Sequence, residues 1–168
     1  MSAQVEAFRA AAKVLDESEL RWWLSDGSVL GAVREDRLLP WDPDVDLGVW
    51  HADMPAVREA FTTAGWPLKR DRPGQVWAVH GGVKVDLHGH IRDGDRVWYE
   101  LSRGRLAYQF EASLFNTFAW TALHGAQARM PCPPEDYLAA HYGESWRTPV
   151  SRWRWDRDPP CLTTGPGR

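Results

Sequence analysis

The sequence predicts an α+β domain, a small mixed sheet flanked by helices, and three observations predict it. Some segments carry apolar residues at three- and four-residue steps between capping residues, as helices do. Others alternate apolar and polar residues in the two-residue period of strands. Gly-Gly and Asp-Gly pairs stand between neighbouring strand segments, where tight turns need them. With 168 residues, one domain is the expectation, because a chain of this size buries roughly 70% of the surface its unfolded form exposes. Residues 1–150 are assigned to that domain and 151–168 to a C-terminal tail packing on it.

From Ala3 to Glu19, Val5, Phe8, Ala12 and Leu15 mark a helix with one buried face. Arg21 to Leu24 reads as a short strand. The chain then turns at Asp26-Gly27 into "SVLGAVR", a short helix with Ser28 as its N-terminal cap. Val45 to Trp50 is a strand, and "MPAVREAFTTA" a helix with Asp53 as cap, Pro55 in the first turn and Gly65 as stop. Strands "QVWAVH" and "VKVDLHGHI" flank Gly81-Gly82. In the second, Val83, Val85 and Leu87 face one way and Lys84, Asp86, His88 and His90 the other, so one face is core and the other wet or catalytic. A turn at Asp93-Gly94 leads into "RVWYE", "FNTFAWTAL" is a further strand, and "PPEDYLAAHYG" a helix opened by proline and closed by Gly143.

Composition removes several function classes. Hydrophobic residues make up 43% and charged residues 26%, and no run approaches the ~20 apolar residues of a membrane span; no membrane insertion is expected. The N-terminal stretch mixes Glu6, Asp16, Glu17 and Glu19 into its apolar pattern, unlike a secretory leader. Cys132 and Cys161 form no metal-type pair and read as free thiols, so the expected location is cytoplasmic. A net charge of -3 gives no general attraction to nucleic acid. Arg147, Arg152, Arg154 and Arg157 alternate with Trp146, Trp153 and Trp155, which reads as a tail packing its indoles on the domain rather than a platform for nucleic-acid bases.

The chemistry sits in "LSDGSVLGAVREDRLLPWDPDVDLGVW", residues 24–50. A helix N-terminus entered through Gly27 and Ser28 presents free amide groups and the positive end of the helix dipole, a seat for phosphate. Asp44 and Asp46, two residues apart on a strand, share a face at about 6.6 Å between Cα atoms, from a rise of ~3.3 Å per residue. Carboxylates that close repel unless a cation lies between them, and hard oxygens select Mg²⁺ or Mn²⁺. "DPDVD" is not a calcium loop: Leu47 stands where the loop needs glycine, and Asp53 where it needs glutamate. Asp86, on the polar face of a strand able to pair beside that of Asp44 and Asp46, completes a set suited to metal-dependent phosphoryl or nucleotidyl transfer, with an aspartate as base.

Two blocks resemble the LicD family, which includes phosphocholine transferases of bacterial surface glycans and fukutin-type enzymes. One is "WLSDGSVLGAVREDRLLPWDPDVDLG" (residues 23–48); the other is "MPCPPEDYLAAHYGESWRTP" (residues 130–149), with "VKVDLHG" between them. The resemblance implies a nucleotidyltransferase-like fold and transfer of a phospho-alcohol, such as phosphocholine, from a CDP-activated donor to a hydroxyl of a sugar or small metabolite. It implies donor phosphate on Gly27 and Ser28, metal on Asp44, Asp46 and Asp86, Asp86 as base, and Arg34 as a phosphate clamp. Asp42 and Trp41 also match family positions, with Pro43 opposing regular strand pairing at Asp42 and Trp41 serving in packing. The alternative within the same class is nucleotidyl transfer from a nucleoside triphosphate, releasing pyrophosphate.

Other classes compete. Asp86, His88 and His90 on one strand face would suit a mononuclear iron or zinc enzyme, with the alternative that His88 supports the site and His90 faces solvent. His124 and His141 read as structural. The eleven tryptophans would also suit a non-catalytic aromatic-lined binding module.

Overall fold

Residues 1–101 and 104–165 are described by a computed structural model; residues 166–168 of the tail segment lie outside it. Ser2 accepts the Val5 amide at 3.3 Å and opens helix α1 (Ala3–Glu17), whose buried face is Ala7, Phe8, Ala11, Ala12 and Leu15. The chain continues through β1 (Trp22–Leu24), α2 (Asp26–Glu35), β2 (Asp44–Trp50), α3 (Met54–Thr63), β3 (Leu68–Arg72), β4 (Gln75–His80) and β5 (Val83–Asp93). It ends with β6 (Arg96–Leu101), β7 (Leu106–Glu111), β8 (Phe118–Leu123), β9 (Ala126–Pro131), α4 (Pro134–Tyr142) and β10 (Leu162–Thr164). This is the mixed sheet with flanking helices that the sequence predicts.

Among the described residues the sheet runs β1-β2-β5-β6-β7-β10, with β4 also on β5 and β3 on β4, while β8 and β9 form a separate hairpin. β5 organises the whole. Its first part pairs parallel with β2 and antiparallel with β4, and Ile91 to Asp93 pair with β6. Parallel strands need a long crossover, and α3 with the β3–β4 hairpin supplies it between β2 and β5. Gly81 and Gly82, both at positive φ (56° and 82°), make the tight β4–β5 turn, which requires a residue without Cβ penalty at each position.

The two faces of β2 and β5 divide the labour. Val45, Leu47, Val49, Val85 and Leu87 are fully buried on the side where α1 packs on both strands. At about 1.5–3 kcal/mol per buried aliphatic side chain, this face is a main source of stability. The opposite face carries Asp44, Asp46, Lys84, Asp86 and His88 into a cleft. Beyond Gly48 that same face becomes aromatic. Trp23 stands opposite Gly48 in register, and a Cβ on Gly48 would overlap its indole. His90 is therefore not solvent-facing: it is 1% exposed, with its ring within 5.6 Å of those of Trp23, Tyr99 and Phe115.

Local differences from the sequence reading have clear causes. α2 starts at Asp26, with Ser25 at the cap position, so Ser28 lies inside the first turn and does not cap. Asp53 precedes α3 but makes no side-chain cap bond. The sequence pattern does not show strands β3, β7, β9 and β10: "LKRDR" is too charged to show alternation, and three-residue β10 pairs along the edge that β7 offers it. No helix among the described residues is long and apolar enough to cross a membrane.

Candidate active site

Parallel pairing of β2 and β5 sets Asp44 opposite Lys84, Asp46 opposite Asp86 and Gly48 opposite His88. These side chains floor a cleft of about 770 Å³, which Asp26, Gly27 and Asp42 also line. Tethers from outside the sheet fix the loop that delivers the aspartates. The Gln4 amide, on the first turn of α1, donates to the carbonyls of Asp42 at 2.8 Å and Asp44 at 3.0 Å. The Ser28 hydroxyl accepts the Asp46 amide at 2.9 Å, so its function here is to lock β2 against α2. Gly27 lines the cleft close against the carboxylates: a Cβ there would run into that of Asp42, which would have to swing aside, and sit 3.3 Å from that of Asp46.

Asp26, which the sequence offers only as a turn residue, occupies the centre. It adopts φ 43°, a left-handed conformation that aspartate tolerates better than most residues. Tyr99 donates to its Oδ1 at 2.5 Å and Tyr137 at 3.2 Å, while His141 Nδ1 lies 3.1 Å from the same oxygen. The other oxygen, Oδ2, faces His88 Nε2 at 3.9 Å. Burial pushes the Asp26 carboxyl upward, but the His141 contact and the charges of His141 and His88 outweigh it and hold the group well below the ordinary carboxylate range. His141, expected to be structural, thus faces the cleft from α4.

Asp46 behaves in the opposite way. Burial, then the charges of Asp26, Asp42, Asp86 and Asp44, push it well above the usual carboxylate range. Asp42 is raised too, by burial and by its acidic neighbours. Asp86 is engaged by protein groups: Gln75 Nε2 donates to Oδ1 at 2.8 Å, His88 Nε2 lies 3.4 Å from Oδ1, and Lys84 Nζ lies 3.3 Å from Oδ2. Lys84 also reaches Asp44 at 2.6 Å. Burial would lower its ammonium, but Asp86 and Asp44 reverse this and hold it charged.

This donor set fits a divalent cation. One ligand atom from each of Asp26, Asp46 and His88 lies within 4.8 Å of the others, and the crowding that raises Asp46 is a cost that a bound cation removes. Three aspartates expected from the sequence, Asp44, Asp46 and Asp86, share the cleft, while among the described residues the set with ligand atoms close enough to share one ion joins Asp46 to Asp26 and His88. Asp86 and His88 are not joined by His90, whose Nδ1 is turned to the His88 carbonyl at 3.0 Å. Arg34 points away from the cleft, toward the Trp146 carbonyl at 3.4 Å and Glu35 at 3.3 Å. Trp41 is 63% exposed rather than packed. Asp26 and His141 could have been suspected only from their residue types, since no spacing rule links positions 115 apart in the chain.

Comparison with known proteins places the chain in a family. Residues 19–133 match the family described as LicD/FKTN/FKRP, nucleotidyltransferase domain. The chain is 33% identical over 165 residues to ribitol-5-phosphate transferase FKTN of Mus musculus, covering 92% of this chain and 35% of that protein. It is 45% identical over 91 residues to ribitol 5-phosphate transferase FKRP of the same organism, 51% of this chain and 18% of that protein. The chain thus spans about a third of the length of the FKTN relatives it matches. In fold it is similar to the lincomycin-bound lincosamide antibiotic adenylyltransferase LnuA, with a TM-score of 0.59 at 14% identity over 84% of this chain and 92% of that one. With its GS turn, its DxD strand and the third aspartate in register, the chain belongs to the LicD/FKTN/FKRP nucleotidyltransferase-domain family.

Proposed function

We propose that this protein is a divalent-metal-dependent transferase that moves a phospho-alcohol from a CDP-activated donor to a hydroxyl of a sugar or small metabolite. The observation that carries the reading is the meeting of Asp44, Asp46 and Asp86 with the Gly27 turn in one cleft. The names of the FKTN and FKRP relatives favour ribitol 5-phosphate as the transferred group, with phosphocholine as the comparison.

Asp46 and Asp44 would hold Mg²⁺ or Mn²⁺, with Asp26 and His88 as further ligands. When bound, such an ion supplies positive charge to the phosphate oxygens and lowers the pKa of a nearby hydroxyl. Lys84 adds a fixed positive charge on the floor. The Asp26 and Ser28 amides already donate to Tyr137 and Ser25, so the phosphate would approach the amide of Gly27 itself at the positive end of α2. Asp86 is the base. Its Oδ1 is oriented by Gln75, and it receives the proton of the acceptor hydroxyl as that oxygen bonds to the distal phosphorus. The anhydride bond to CMP breaks, and CMP departs with the electron pair.

The test offers CDP-ribitol, CDP-choline and nucleoside triphosphates with Mn²⁺ and polyol or sugar acceptors, followed by phosphorus NMR. Release of CMP from a CDP-alcohol is the expected result. Pyrophosphate release from a triphosphate would move the assignment to nucleotidyl transfer, and turnover persisting in chelator would overturn it.

A further inference from the structure

The segment after α4 returns over the mouth of the cleft, where Tyr108, Tyr142, Trp153 and Trp155 form an aromatic wall. Most of these rings are already partnered. Tyr142 stacks on His141 with centroids 4.3 Å apart and planes 10° from parallel, and Trp153 stands 5.1 Å from Tyr142. Trp155 differs: it is 53% exposed.

Its backbone is nevertheless fixed. The Tyr108 hydroxyl donates to the Trp155 carbonyl at 2.7 Å. The amides of Arg157 and Asp158 donate to the Arg154 carbonyl at 3.1 and 2.8 Å, and the Arg154 amide donates to the Asp158 carboxylate at 2.7 Å. Arg154 also grips Asp156 through two nitrogens at 3.1 and 2.9 Å. An isolated surface indole needs no explanation. One held at the rim of a catalytic cleft by a tied turn presents a preorganised flat surface to whatever enters.

We propose that Trp155 is the stacking platform for the nucleobase of the activated donor. This rests on the transferase reading above and adds which wall of the cleft receives the nucleoside. Three observations favour a base over the alcohol of the donor. A polyol has no flat face to match an indole, whereas every base has one. A quaternary ammonium is recognised by a cage of several ring faces, but Tyr142 and Trp153 are already packed on each other, which leaves one exposed indole. The phosphates are drawn to the floor, where Lys84 and the carboxylates sit, which leaves the rim to the nucleoside end.

The experiment is calorimetry on the full chain with Mn²⁺, using CDP and inorganic pyrophosphate as probes, on wild type, Trp155→Ala and Trp155→Tyr. Trp155→Ala should weaken CDP by roughly 5- to 150-fold and leave pyrophosphate within about twofold; Trp155→Tyr should recover most of the loss. Nitrogen-labelled tryptophan NMR gives a second readout: the Trp155 indole resonance, identified by its loss in the variants, should move with CDP and not with pyrophosphate. Unchanged CDP binding in Trp155→Ala, or a parallel loss of both probes, overturns the platform. Wild type that binds pyrophosphate but not CDP overturns it while sparing the metal-phosphate site. Wild type that binds neither sinks the transferase reading together with the platform.

Discussion

Asp46 and Asp86 stand opposite each other at the same step of the parallel β2–β5 pair. The pairing matters because it turns two aspartates 40 positions apart into neighbours on one face, and it does so through backbone hydrogen bonds rather than through the carboxylates themselves. Their convergence is therefore a property of the fold, held in place whether or not a cation is bound.

Asp46 should be the residue on which cation binding depends most, since it is common to the expected aspartate set and to the Asp26–Asp46–His88 group. Asp46→Asn is expected to abolish measurable Mn²⁺ binding by calorimetry. Turnover should fall by more than the roughly 10- to 100-fold typical of outer-sphere changes, with the melting temperature unchanged or raised, because one repelling charge is removed.

Gly27→Ala tests the close approach of α2 to the carboxylates. The added methyl meets the Asp42 carboxylate, so either Asp42 or the helix terminus must shift. A stability loss of about 1–3 kcal/mol, accompanied by weaker Mn²⁺ binding, is expected. A variant with wild-type melting and wild-type cation affinity would refute the steric account of this glycine.

Asp26 separates charge from hydrogen bonding. Asp26→Ala leaves the Tyr99 hydroxyl without its acceptor, a buried orphan that costs about 1–3 kcal/mol, while the Tyr137 hydroxyl keeps Ser25 Oγ at 3.4 Å. Asp26→Asn keeps an oxygen at that place and should recover much of the stability while still weakening Mn²⁺ binding. Thermal denaturation alongside calorimetry distinguishes the two effects.

Gly48→Ala should damage stability and not chemistry directly. Its Cβ would overlap the Trp23 indole, at a cost of about 1–3 kcal/mol, or roughly 2–12 °C in Tm for a chain of this size. Trp23→Leu in the same background should restore part of the loss, because the smaller side chain makes room.

Cys161 is 9% exposed, and burial followed by the charge of Asp26 pushes its thiol well up. The thiolate, which is the reactive form, is therefore disfavoured at neutral pH and gains population only as pH rises toward that raised value. Mass spectrometry after brief alkylation of the folded chain at pH 7 should find Cys161 unmodified, and full alkylation of both Cys132 and Cys161 after denaturation.

The sequence alone determined the first helix through its apolar spacing, read from Ala3 to Glu19 where the structure ends it at Glu17, the strand face bearing Lys84, Asp86 and His88 through strict alternation, and the Gly81-Gly82 turn through the need for positive φ. It also determined the Asp44–Asp46 pair, because residues two apart on a strand share a face. Tertiary structure decided the rest. Only packing could bring Asp26 and His141 together from α2 and α4, bury His90 beneath Trp23 and Tyr99, and turn Arg34 away toward Trp146. Local spacing encodes which side a residue faces, while which distant element covers that side depends on how the whole chain closes its core, and that information resides in no single segment.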